Sequence, residues 1–192
     1  MRKIIVTCLF IIVYIFSTGC EHKKNKEVMF EEQLKQLRGN KTYQDVLVTA
    51  NKSLNKWLAD GLEDVLVLND YNWKVDDAVF FNSKKNRCYL LLIIQDKDLN
   101  ATLDYIYVMY GALEHGKWTI YFEGLPGLVF PRDRYSKNKN APIPLDTLSK
   151  AGREEALRGY YNNNGSINDE YIEKAYTEEL RRRHEKFLNK NQ

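Results

Sequence analysis

The sequence predicts an α+β fold: N-terminal helices, a four-stranded antiparallel β-meander, and two C-terminal helices packing on the sheet. Three observations carry this expectation. Apolar residues recur at helical spacing over 42–58, at Val46, Leu47, Ala50, Leu54, Trp57 and Leu58. Residues 78–123 hold four apolar or alternating runs joined by short polar connections, which suits hairpins rather than crossovers. Two further helical segments follow residue 145, separated by the break Asn162-Asn163-Asn164-Gly165.

Taken in order, residues 29–38 form a short helix with Phe30, Leu34 and Leu37 on one side. The helix over 42–58 is capped by Thr42, with Asp45 three residues on, and ends at Gly61. Residues 62–75 read equally as a helical extension or as a short strand around Val65-Leu66-Val67-Leu68, with a turn at Asn69-Asp70. Strands follow at 78–81, 87–95, 105–113 and 118–123. The first two are joined by the turn 82–86, and the last two by His115-Gly116, a tight turn that needs positive φ. In the last strand Trp118, Ile120 and Phe122 alternate with Thr119, Tyr121 and Glu123. One face of the sheet is expected to pack on helices. Residues 124–145 read as irregular, and helices cover 146–158 and the segment from Asn168 onward. Ile167 and Ile172 form a hydrophobic staple at the start of the last one.

Length and composition set outer bounds. The chain has 192 residues, 44% apolar and 29% charged, which is globular and neither disordered nor polytopic. Its net charge of +3 gives no bulk electrostatic footprint for nucleic acid, so no nucleic-acid partner is expected. The run Arg181-Arg182-Arg183 fits a simpler account. Acids dominate 168–179 and bases 180–190, which complements the helix macrodipole on a solvated helix.

The first twenty residues read MRKIIVTCLFIIVYIFSTGC. A basic start at Arg2 and Lys3 precedes an apolar run from Ile4 to Phe16, then Ser17, Thr18, Gly19 and Cys20. This is the order of a secretory signal peptide. As a helix the apolar run spans about 20 Å at 1.5 Å per residue, short of a hydrocarbon core of about 30 Å. The tetrad Ser17-Thr18-Gly19-Cys20 resembles the lipobox of bacterial lipoproteins, although Ser17 stands where leucine is commonest. The resemblance implies cleavage before Cys20, a thioether lipid on its sulfur and acylation of the new N-terminus. It implies a bacterial cell-envelope protein held to a membrane, inner or outer left open, by lipid at Cys20. The organisation expected is then a signal peptide over 1–19, a lipidated cysteine with polar tether and short helix over 20–41, and one α+β domain over 42–192. Cys8 lies in the discarded segment, so Cys88 remains alone, a small buried hydrophobe within an apolar run.

A second resemblance covers roughly 76–171. Its pieces are Asp77-Ala78-Val79-Phe80-Phe81-Asn82, Gly116-Lys117-Trp118 with Tyr121-Phe122 and Gly124, Phe130-Pro131-Arg132 with Tyr135, Pro144-Leu145, and Ile167-Asn168-Asp169-Glu170-Tyr171. In that order they are similar to a domain of unknown function recurring in bacterial lipoproteins. The resemblance carries over no catalytic residue.

Several residues invite a chemical role. Asp76 and Asp77 would serve as an acid/base pair only with a carboxylate at a defined separation across a cleft. Arg132 and Arg134, with Tyr135, offer planar guanidinium forks to an anionic ligand, or anchor their loop to a carboxylate. Asp77, Arg132, Arg134 and Tyr135 are therefore the candidate ligand-binding residues. The segment from Asp96 to Asp104 begins like a calcium loop, but Ala101 and Tyr107 stand where glycine and glutamate are required. His22, His115 and His184 are too scattered for a zinc site, and no metal or cofactor is expected. Tyr105, Tyr107, Tyr110, Trp118 and Tyr121 gather around one hairpin, either as cross-strand packing or as a row on which a sugar or peptide side chain stacks. No phosphate-binding, dinucleotide-binding, serine-hydrolase or zinc-protease motif occurs. The leading expectation is a non-enzymatic binding or accessory module whose partner is an envelope protein or glycan. The alternatives are a cell-envelope hydrolase using carboxylates such as Asp76 or Asp77 with Arg132, and an envelope immunity or inhibitor protein.

Overall fold

A computed structural model describes residues 26–59, 71–96, 104–121, 128–129, 132–135 and 141–190. The segment 1–25 with Cys20, Gly61, the run 65–70 and the calcium-like stretch 97–103 lie outside the described residues. The expected class is the observed one: N-terminal helices, a four-strand antiparallel meander, and C-terminal helices.

Helix α1 spans 26–37 and buries Phe30, Leu34 and Leu37, spaced four and three apart so that all fall on one face. It already includes residues 26–28, ahead of the expected start at residue 29. Lys26, Glu27 and Met29 are good helix formers, and docking of Phe30 makes a preceding turn favourable. The polar stretch expected to be a tether therefore loses its last residues to the helix, and the folded body reaches back to Lys26.

Helix α2, Lys41–Ala59, buries Tyr43, Val46, Ala50 and Leu54. Its cap is Asn40 rather than Thr42: the Asn40 side-chain oxygen accepts from the Thr42 amide at 2.8 Å, and its carbonyl accepts from the Gln44 amide at 3.2 Å. Asn40→Ala is expected to cost about 1 kcal/mol, measured by urea unfolding, whereas Thr42→Ala should cost less.

Strand β1, Tyr71–Phe81, starts well before the expected residue 78 and pairs with β2, Arg87–Asp96. Its first half was obscured because Lys74, Asp76 and Asp77 interrupt the apolar alternation, and pairing shifts register between Val75 and Val79 at that point. β2 pairs with β3, Tyr105–Glu114, which pairs with β4, Lys117–Tyr121. The connection between β1 and β2 is held by Asn82, whose side-chain oxygen accepts from the Asn86 and Arg87 amides. His115 and Gly116 have φ of 50° and 77°, as a two-residue hairpin turn requires. Residues 124–145 are less irregular than expected: Leu128–Val129 forms β5 against the start of β3, and Arg132–Tyr135 forms a helical turn, α3.

Helix α4, Leu145–Tyr160, continues through Gly159 instead of ending near Arg158. A Cβ on Gly159 would lie 2.6 Å from the Tyr171 ring, so this glycine serves close approach of α5 rather than helix termination. Helix α5, Asp169–Lys190, is capped by Asn168, whose side chain accepts from the Tyr171 amide at 3.1 Å. Ile167 packs against the core and Ile172 is fully buried, in the staple positions.

Helices cover both sheet faces, not one. The would-be Cβ of Gly152 on α4 lies 3.0 Å from Leu91, while Trp57 of α2 packs edge-on against Trp73, the cross-strand partner of Ile94. Leu91 and Ile94 point to opposite faces. This accounts for the continuous apolar run of β2, buried from Cys88 to Asp96. On the α4 face the core centres on Phe80, stacked at 4.6 Å on both Phe30 and Tyr89 and edge-on to Tyr160 at 5.2 Å.

Candidate functional site

The register shift in β1 presents two adjacent carboxylates to α4. Asp76 is 0% exposed, and both its oxygens accept from Arg153, from Nε at 2.7 Å and from Nη2 at 2.9 Å. The same guanidinium donates to Asp77 and lies 3.7 Å from Glu31 on α1. The second Asp77 oxygen accepts from Arg38 at 3.0 Å, and its backbone carbonyl accepts from the Tyr43 hydroxyl at 2.7 Å. Asp77 and Arg153 together thus tie α1, α2, β1 and α4. The hydrogen bonds to Asp76, opposed by burial, push the Arg153 guanidinium further above its ordinary range. Burial also raises the Tyr43 hydroxyl, with the Asp77 charge adding to it.

This arrangement corrects the placing of Asp76 and Asp77 ahead of a strand, and it leaves them paired with Arg153 rather than with another carboxylate. They lie inside β1, and Asp76 has neither solvent nor a spare oxygen with which to activate a water. The side-chain partners of Asp77 are Arg38 and Arg153. Of the other candidates, Arg134 is exposed, Tyr135 is half-buried against the core, and the Arg132 side chain lies outside the described residues. The sequence did carry a sign of Arg153: it is a charged residue four positions from both Ser149 and Leu157, on the buried side of α4.

Beside this cluster, α1, α4 and the edge of β1 enclose a cleft of about 370 Å³, within the range of small-molecule sites. Phe30 and Leu157 contribute its apolar surface, with Lys74, Asp146, Lys150 and Arg153 around them. Lys74 donates to Asp146 at 2.9 Å, and this hydrogen bond holds the Asp146 carboxyl below its ordinary value. Charges of both signs around a small apolar floor suit a group that is itself charged, such as a peptide terminus or an amino sugar. A second groove of about 450 Å³ opens between α4, α5 and the sheet, floored by Tyr89, Leu91, Ile106 and Val108.

The aromatic row is divided by the sheet. Tyr110 and Tyr121 face α4 and α5, whereas Tyr105, Tyr107 and Trp118 lie on the α2 face. Tyr121 and Tyr176 both donate to Glu114, at 2.8 and 3.3 Å, and Arg87 stands 4.4 Å over the Tyr176 ring. The Tyr121 hydrogen bond is the main cause holding the Glu114 carboxyl below 4.5. A carboxyl depressed on folding stabilises the protein above its unfolded pKa and loses that stabilisation as pH falls through its folded value. Glu114→Gln is therefore expected to differ from wild type most near neutrality and to converge with it in acid, read by urea unfolding across pH.

Cys88 is buried against Gly111, and burial pushes its thiol up, away from nucleophilic use. His115 occupies the turn, as expected. Arg181 is exposed and pairs along its helix with Glu178 and Glu185, as a solvated face does. The side chains of Arg182, Arg183 and His184 lie outside the described residues. Asp96 and Asp104, the ends of the calcium-like segment, are buried at the mouth of the β2–β3 connection. Among the described residues, no group of three or more His, Cys, Asp or Glu is placed to hold a metal ion, and no helix is long and apolar enough to cross a membrane.

No protein-family model, curated protein or solved structure matches the chain.

Proposed function

We propose that this protein is a lipid-anchored module of the bacterial cell envelope that binds an envelope protein or glycan without catalysing a reaction. The observation that carries the reading is the order of its first twenty residues: basic start, apolar run, small residues, then Cys20. The multi-chain anchor implied by the lipobox would hold the domain to a bilayer essentially permanently, at about 0.8 kcal/mol per buried methylene. The charged cleft at Arg153 is the place we assign to the partner. The hold of Arg153 on Asp76 and Asp77 favours binding over the hydrolase alternative, because it occupies the carboxylates that a hydrolase would need free.

Fractionation of the native host tests the anchor. Wild type should sediment with membranes and take up labelled palmitate, and Cys20→Ala should do neither. Wild-type protein found soluble and unlabelled would overturn the reading. For the cleft, Lys150→Glu is expected to weaken capture of an envelope partner by the otherwise intact lipoprotein, and unchanged capture would move the binding site elsewhere.

A further inference from the structure

Helix α1 is fixed to the body from its first described turn. Lys26 Nζ donates to the Tyr161 carbonyl at 3.3 Å, and Phe30 stacks on Phe80. Five residues, 21–25, lie between Cys20 and Lys26, the first described residue. Whatever their conformation, the six steps from Cys20 to Lys26 span at most about 22 Å. A lipid on Cys20 therefore keeps one particular end of the domain near the bilayer.

That end is defined by contacts. Tyr161 begins the loop that receives Lys26, and the Tyr160 hydroxyl donates to the Phe81 carbonyl at the end of β1. The Ser83 amide in the β1–β2 turn donates to Asp169 at the start of α5 at 2.7 Å. The first turn of α1, the turn 82–86 and the loop 161–168 thus share one end of the molecule. Two apolar side chains are exposed on that first turn, Val28 at 48% and Met29 at 36%. The Met29 thioether lies 3.7–3.9 Å from where a Cβ on Gly165 would sit. The loop 161–168 carries no charged side chain, in a chain that is 29% charged.

We infer that this end, formed by the first turn of α1 with the 161–168 loop and the 82–86 turn, rests against the lipid headgroups of the anchoring bilayer. The inference rests on the anchored reading above and adds to it the face that meets the membrane. Lys26, Lys84 and Lys85 there are balanced by Glu27, Asp169 and Glu170, so attraction to anionic lipid is not what sets the contact. The short link sets it, with Val28 and Met29 as the apolar side chains that meet the interface.

The test uses the full lipidated protein in phosphatidylethanolamine–phosphatidylglycerol vesicles containing a headgroup spin-labelled lipid. A fluorophore is placed at Asn163→Cys or at Lys56→Cys. Both positions are exposed. Lys56 adjoins Trp57, which packs on Trp73, and the β2 partners of Trp73 and Phe81, Ile94 and Cys88, are six residues or about 20 Å apart along the sheet. The buried Cys88 thiol does not compete for the label. Fluorescence at position 163 is expected to be quenched several-fold more strongly than at 56. Equal quenching, with lipid on Cys20 verified by mass, would overturn the inference and leave the anchor standing. Absence of lipid on Cys20 would overturn the anchored reading itself.

Discussion

Arg153→Ala is expected to lose about 3–5 kcal/mol of folding stability, the range found when one partner of a buried ion pair is removed. The reason is Asp76. Its carboxylate is fully buried and accepts both arms of the guanidinium fork. Removing the fork leaves a carboxylate in the interior with neither solvent nor counter-charge, and Asp77 and Glu31 lose the same partner. Lysine restores the charge but not the planar fork, so Arg153→Lys should lose less and still fold. A double-mutant cycle with Asp76→Ala separates the pair from its parts: the double variant should be less destabilised than the sum of the two singles. Losses under about 1 kcal/mol for Arg153→Ala would mean that the cluster behaves as an exposed surface pair.

Phe80→Ala is expected to cost a similar amount, about 3–5 kcal/mol, because its ring is fully buried and cannot be replaced by collapse of rigid neighbours. Phe80 stacks on Phe30 and Tyr89 and meets the edge of Tyr160. The loss should not be evenly distributed. Phe30 is the innermost residue in the first half of α1, so amide exchange in α1 should accelerate more than in β2 or β3. Uniform acceleration would show that α1 is not separately dependent on this contact. The outcome bears on the proposed anchoring, since α1 is the described element that follows Cys20 in the sequence.

Much of the fold was legible where one local rule decided the outcome. The apolar run Cys88–Ile94 could only be a buried strand or a helix, and the turns on either side chose the strand. His115-Gly116 supplied the positive φ of a two-residue hairpin. What stayed hidden depended on partners distant in sequence. The first half of β1 was masked by Lys74, Asp76 and Asp77, whose places inside a strand make sense only with Asp146 opposite the lysine and Arg153 and Arg38 opposite the carboxylates. The need for glycine at 159 could not be read locally, because the Tyr171 ring that requires a missing side chain is twelve residues away. The candidate site shared this fate. Asp77 was visible as a candidate ligand-binding carboxylate, and its observed partners are Arg38 and Arg153, which sequence spacing does not relate to it. The aromatic hairpin shows the converse: Tyr105, Tyr107, Tyr110, Trp118 and Tyr121 are close in sequence, yet the pleat of the sheet sends them to two faces.

Mass spectrometry of the mature N-terminus from the native host decides whether this protein is held by lipid. The first residue is expected to be Cys20, its sulfur carrying a diacylglyceryl group and residues 1–19 gone. A mature chain that retains residues 1–19, or that begins at or before Cys20 with an unmodified thiol, would contradict it.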